Sequence, residues 1–169
     1  MKCDICSIVE NKKSFKLIYE DELVFAILHE SPAVLGHVLV IPKKHAPILE
    51  ELDDNLSDQL FVVANKISSL LFEVLGAHGT NILINNGIGA GQELPHLVLN
   101  VIPRKENDSL NFEWQPKKAS ESELKTTQSM IRTFSDNIFS GRDNLPEIQI
   151  KQEEEVEEDY LIKGLRRVP

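Results

Sequence analysis

Gln92-Glu93-Leu94-Pro95-His96-Leu97-Val98-Leu99-Asn100-Val101-Ile102-Pro103-Arg104 is the stretch from which the rest of this chain is read. Apolar Leu97, Leu99 and Val101 alternate with His96, Val98 and Asn100. A strand sends alternate side chains to opposite faces, so the pattern predicts a buried strand with His96, Val98 and Asn100 on one face.

Asn81 to Asn85 predicts the strand before it, and Asn86-Gly87-Ile88-Gly89-Ala90-Gly91 a turn between the two. Such a glycine-rich turn has two readings: a loop whose N–H groups approach a phosphate, or a flexible hairpin loop. Further upstream, Phe15 to Tyr19 and Leu23 to Leu28 read as paired strands joined by Glu20-Asp21-Glu22. Gly36 to Pro42 reads as a third strand, with Pro42 at its end where a missing N–H costs little. Asp54 to Gly76 reads as a helix, with Leu56, Leu60, Val63, Ile67, Leu70, Leu71 and Val74 as its apolar stripe. Asp53, Asp54 or Ser57 suits its start and Gly76 its stop.

Downstream, residues 107–116 form a polar linker in which Trp114 is a candidate anchor. Ser120-Glu121-Ser122-Glu123 matches a capping box. Leu124, Thr127, Ile131, Phe134 and Ile138 then mark an amphipathic helix that Gly141 ends. An acidic block, residues 153–159, reads as a solvated or disordered tail, and the apolar and basic segment Tyr160 to Pro169 as one able to dock on the domain or on a second subunit. The expected division is a domain over 1–110, linker and helix over 111–145, and a tail over 146–169.

The 169 residues suffice for one substantial core, and 41% apolar with 27% charged residues is ordinary for a globular protein. A net charge of −9 argues against a nucleic-acid polymer as partner, which needs a basic surface. It leaves room for a small nucleotide held by a few N–H groups. No apolar run is long enough to cross a bilayer, and no apolar region of a secretory leader follows Met1. A cytoplasmic protein is expected.

Cys3-Asp4-Ile5-Cys6 has three readings: a redox pair, half a metal site, or two reduced thiols that pack. A redox pair should follow a strand, and a disulfide framework needs an oxidising compartment; neither condition is met here. Half a zinc site is the live alternative, and it needs two more ligands.

Taken in order, Cys3-x-x-Cys6, Gly36-His37-Val38-Leu39-Val40-Ile41-Pro42-Lys43, Asn85 to Gln92 and His96 to Arg104 resemble the histidine triad (HIT) family over roughly residues 3 to 104. The resemblance implies an α+β domain with a five-stranded antiparallel sheet and two main helices, here followed by a C-terminal extension. It also implies a homodimer that joins two such sheets. In zinc-carrying branches of the family the metal is held at places matching Cys3, Cys6, His45 and His96. Two thiolates and two imidazoles make a closed tetrahedral set, which is a structural site.

The family pattern is His-φ-His-φ-His-φ-φ, with φ apolar, and its places fall here on His96, Val98 and Asn100. In active relatives the middle histidine attacks the α-phosphorus of a nucleotide and forms a covalent nucleotidyl-imidazole. Val98 has no lone pair, and losing a nucleophile costs about a million-fold in rate, by analogy with protease knockouts. Asn100 offers a hydrogen bond but does not titrate near neutral pH. Glu93 stands where active relatives often carry Ser or Thr, and His29 where many carry an Asp that accepts from ribose. The expected nucleotide-binding residues are His29, Asn85, Gly91, Gln92, Glu93 and Asn100, with an apolar wall from Val24, Phe25 and Ile27.

The expected function is thus a nucleotide-binding protein without the family's histidine-nucleophile chemistry. Two alternatives remain: a residual hydrolase of altered mechanism, using His29, His37 or His78, and a structural or interaction protein.

Overall fold

In the computed structural model, residues 3–10 and 15–139 are described. The chain divides into two compact units between Asn111 and Phe112.

The first unit is built on an antiparallel sheet of five strands in the order β1-β2-β3-β5-β4: β1 Leu17–Glu20, β2 Val24–Leu28, β3 Val38–Pro42, β4 Gly79–Ile84 and β5 Leu99–Arg104. Two helices belong to this unit, α1 Asp4–Glu10 and α2 Asp54–Leu75. The predicted strand over residues 92–104 forms only from Leu99; residues 92–98 run as bends and extended chain before it.

Alternation along the strands divides the core. Val24, Ala26, Val38, Val40, Leu99 and Val101 face α2 and pack with Leu56, Leu60, Val63, Ala64, Ile67 and Leu71. Phe25, Ile27 and Ile41 face the other way, with Cys3 and Ile5, and Leu39 and Val98 pack on them. Val24 is therefore a core residue of the helix-covered face, not part of a pocket wall on the other. The predicted stripe of α2 is shifted as well: Leu70 (43% exposed) and Val74 (67%) point to solvent, while Ala64 is buried in their stead. Asp53 caps α2 by accepting from the Leu56 N–H, and Gly76 closes it in the left-handed conformation (φ 58°).

Gly36 has a packing role too. Its φ is +94°, and a Cβ there would stand 2.3 Å from Leu75 Cδ1 and 3.2 Å from Pro103 Cγ. Only a glycine lets the turn before β3 pass so close to the end of α2 and to β5.

In the second unit, residues 112–119 are irregular and α3 spans Glu121–Phe139. Ser120 Oγ accepts from the Glu123 N–H while the Glu123 carboxylate accepts from the Ser120 N–H at 2.7 Å, the reciprocal box expected from the sequence. Leu124, Ile131 and Ile138 are exposed. Gly141, the acidic block and the segment Tyr160 to Pro169 lie outside the described residues.

Candidate functional site

The sheet face away from α2 carries residues in rows across the strands. Ile27 pairs with Leu39, Leu39 with Asn100, and Asn100 with Leu83. Phe25 pairs with Ile41, and the ladder carried one residue further brings Val98 and Asn85 beside that pair. On the opposite side of the Asn100 row, the His29 N–H donates to the His37 carbonyl, and the two imidazoles stack at 4.7 Å. A polar end of His29, His37 and Asn100 thus borders an apolar floor of Ile27, Leu39 and Val98.

The hydrogen bonds assign the protons at the polar end. His37 Nδ1 accepts from the Ala33 N–H at 3.3 Å, so the ring proton sits on Nε2 and is donated to Asn100 Oδ1 at 3.1 Å. Asn100 Nδ2 donates to the Leu83 carbonyl. Burial pushes the His37 imidazolium below the ordinary histidine range, with the neighbouring His29 adding in the same direction and Asn100 opposing. His29 Nδ1 accepts from the Ser31 N–H at 2.9 Å, which leaves its Nε2–H to donate. His29 Nδ1 is thus engaged as an acceptor, and Nε2–H is the polar group left on the ring.

The glycine turn is bound mostly to itself. Ala90 N–H and Gln92 N–H donate to the Gly87 carbonyl, Gly91 N–H to Ile88, and Gly87 N–H to Gln92 Oε1 at 2.7 Å. Gln92 Nε2 donates to the carbonyls of Pro47 and Leu94, and Asn85 Nδ2 to that of Gly91. Gln92 and Asn85 therefore brace loops, and Glu93 is exposed beside them.

Beyond Val98 lies a metal-competent cluster. One ligand atom from each of Cys3, Cys6, His45 and His96 lies within 4.8 Å of the others. Cys3 Sγ is 3.5 Å from His96 Nδ1, Cys6 Sγ is 3.3 Å from His45 Nδ1, and the two Nδ1 atoms are 3.3 Å apart. His96 Nε2 is 2.9 Å from the Pro42 carbonyl. A carbonyl only accepts, so Nε2 holds the proton and Nδ1 turns its lone pair to the sulfurs. That is the orienting bond a ligating histidine needs. Burial holds His96 below its ordinary range, and a neutral ring is the ligating form. The residues fit zinc, which would staple the N-terminal segment to the sheet.

Between α1 and the sheet is a shallow cleft, partly open to solvent, lined by Ile8, Phe15, Leu17, Phe25 and Ile27, with Glu20 and Lys43 paired at 2.7 Å. Of the expected wall, Phe25 and Ile27 line it. Ile8, Phe15 and Leu17 were not singled out from sequence; continuing the alternation of Phe25 and Ile27 onto the neighbouring strand would have found Leu17, which pairs with Ile27. The helix that carries Cys6 and Ile8 had no signal beyond the cysteine spacing. His78 is exposed and bonds to Arg104 at the end of β5 remote from Leu99.

The HIT domain model matches residues 10–107. The chain is 34% identical over 153 residues to adenylylsulfatase HINT3 of Arabidopsis thaliana, across 89% of this chain and 74% of that one. A zinc-bound histidine triad family protein of Mycobacterium smegmatis superposes with a TM-score of 0.62 at 37% identity, covering 69% of this chain and 85% of the other. A HIT family member from Bacillus subtilis superposes with a TM-score of 0.72 at 32% identity, covering 78% and 96%.

Proposed function

The chain belongs to the HIT domain family, and from that premise we propose that it binds a nucleotide-class ligand without performing the family's nucleotidyl transfer. Members of the family bind nucleotides or nucleoside phosphates, and many are nucleotide hydrolases. The observation that carries the proposal is the environment of Val98. Its side chain packs on the apolar cluster of Cys3, Ile5, Phe25, Ile27 and Ile41, and the family resemblance matches its position to the nucleophilic histidine of active members. Neither neighbouring imidazole offers a substitute, because His29 and His37 each engage Nδ1 as an acceptor and carry the proton on Nε2. A nucleophilic ring needs a free lone pair.

The apolar cleft and the floor of Ile27 and Leu39 suit a base. His29, Asn100 and the adjoining Asn85, Gly91, Gln92 and Glu93 surround the rest of the ligand. The test pairs two readouts on the zinc-loaded chain: a melting shift with nucleotides, and turnover of a nucleoside phosphoramidate. A shift without turnover is expected. Turnover that survives purification and is lost on changing His29 or His37 would overturn the proposal in favour of an altered hydrolase. No shift with any nucleotide or nucleoside would favour a structural or interaction protein.

Zinc in this reading is structural, held by Cys3, Cys6, His45 and His96. A reducing, cytoplasmic setting, which keeps such ligand cysteines from forming a disulfide, is part of the proposal. No helix among the described residues is long and apolar enough to cross a membrane. A homodimer is proposed through the β4 edge, where Ile82 is 41% exposed, and the outer face of α2, where Phe61, Val62 and Phe72 are exposed. Sedimentation should give twice the chain mass; a monomer at micromolar concentration would remove this part.

A further inference from the structure

We infer that the pocket selects an uncharged nucleoside over its own 5′-phosphate, because, among the described residues, those gathered around Asn100 and Val98 present neutral hydrogen-bonding groups and no unpaired cation. The inference rests on the nucleotide-class reading above and narrows it. A phosphate monoester near neutral pH carries more than one negative charge, and removing it from water requires opposing charge or several N–H donors.

Two lysines beside the sheet and the arginine of β5 are committed elsewhere. Lys43 pairs with Glu20 and donates to the Asp21 carbonyl, and Lys44 pairs with Asp53. Arg104 is at the far end of β5, held by Asp108, Asn81 and the Leu110 carbonyl. The imidazoles are no better placed. His29 and His37 stack at 4.7 Å, and each receives a backbone N–H on Nδ1.

Part of the supply of N–H donors is also spent. Four of the turn's N–H groups, those of Gly87, Ala90, Gly91 and Gln92, already donate within the turn. The amides of Gln92 and Asn85 donate to backbone carbonyls. Val98 contributes apolar surface, and Glu93 places an exposed carboxylate beside the turn. The whole chain carries −9, so no long-range attraction offsets these local terms.

Hydroxyl groups meet a different reception. Asn100 keeps one N–H and one lone pair beyond its bonds to Leu83 and His37, and His29 keeps its Nε2–H. A sugar hydroxyl both donates and accepts, which matches this set.

The experiment is calorimetric titration of the zinc-loaded full-length chain with adenosine, guanosine, cytidine and uridine, each against its 5′-monophosphate, at low and moderate salt. At least one nucleoside is expected to bind, as tightly as its monophosphate or more so, with little salt dependence. Glu93→Gln is expected to tighten the monophosphate several-fold and by more than it changes the nucleoside. A monophosphate that binds more tightly than its own nucleoside overturns the inference while leaving nucleotide binding in place. Silence for all four pairs removes the binding reading itself, and the inference with it. An unchanged monophosphate affinity in the Glu93 variant overturns the part assigned to that carboxylate.

Discussion

His37 Nε2 stands 3.1 Å from Asn100 Oδ1, and this bond joins the turn before β3 to the middle of the sheet. The chain of donors runs from the Ala33 N–H through the imidazole and the Asn100 amide to the Leu83 carbonyl. Asn100→Ala strands both the imidazole N–H and that carbonyl. The variant should lose about 1–3 kcal/mol, the cost of leaving a buried donor unmet. Asn100→Asp, which keeps the acceptor, should recover part of it. Urea unfolding of the three proteins decides; equal midpoints would show that the bond carries no stability.

The same imidazole sets a pH dependence. Burial lowers the folded-state His37 below the ordinary value of 6.5. The unfolded chain therefore takes up the proton first on acidification. The stability due to neutral His37 is complete above about pH 6.5 and is lost as pH falls towards and through the lowered value. His37→Gln retains a donor for Asn100 and does not titrate. Its denaturation midpoint should fall less than the wild type's between pH 7.5 and 5. Parallel curves would assign the acid sensitivity to other groups.

Metal loading should be stoichiometric and stabilising. One zinc per chain is expected by elemental analysis, falling well below one in Cys3→Ser and in His96→Ala. Chelation should lower the melting temperature by at least about 5 °C, the shift that ~1 kcal/mol gives a domain of this size. A chain that melts at the same temperature with and without chelator would contradict a stapling role.

Gly36→Ala should be among the costly single-methyl additions. The new Cβ would meet Leu75 Cδ1 at 2.3 Å on a backbone with φ +94°. A loss of about 1–3 kcal/mol is expected from overpacking and strain together. Trimming the obstacle with Leu75→Ala in the same chain should relieve the packing share and leave the backbone share. Strict additivity of the two changes would refute the clash.

Much of this architecture is legible in the chain because period-two and period-three-to-four patterns are local. The strands around Phe25, Val38 and Ile82, and the helix capped by Asp53, follow from them. Leu70 and Val74 mislead because residue type reports hydrophobicity and not direction. They sit within reach of the stripe, yet the sheet is contacted through Ala64 and Leu71 instead. Val24 misleads for the complementary reason: hydrophobic on a strand, it belongs to one face only, and its neighbours Phe25 and Ile27 belong to the other. The four metal-competent residues were readable as a set through family resemblance, although 93 positions separate Cys3 from His96. The network of His37, Asn100 and Leu83, and the closure of the glycine turn upon itself, were not. They depend on which partner each polar atom finds, and that is decided by strand register.

The seven residues of α1 tie two equilibria together. Cys6 reaches the ligand cluster and Ile8, two residues on, forms part of the cleft wall. If zinc is held there as proposed, losing it would free the helix that roofs the cleft, and an occupant of the cleft would be held less tightly. Linkage makes the effect mutual: an occupant that needs Ile8 in place must tighten zinc by the same factor that zinc tightens the occupant. Zinc supply would then act as a dial on ligand affinity, through one short helix and with no contact between ion and ligand.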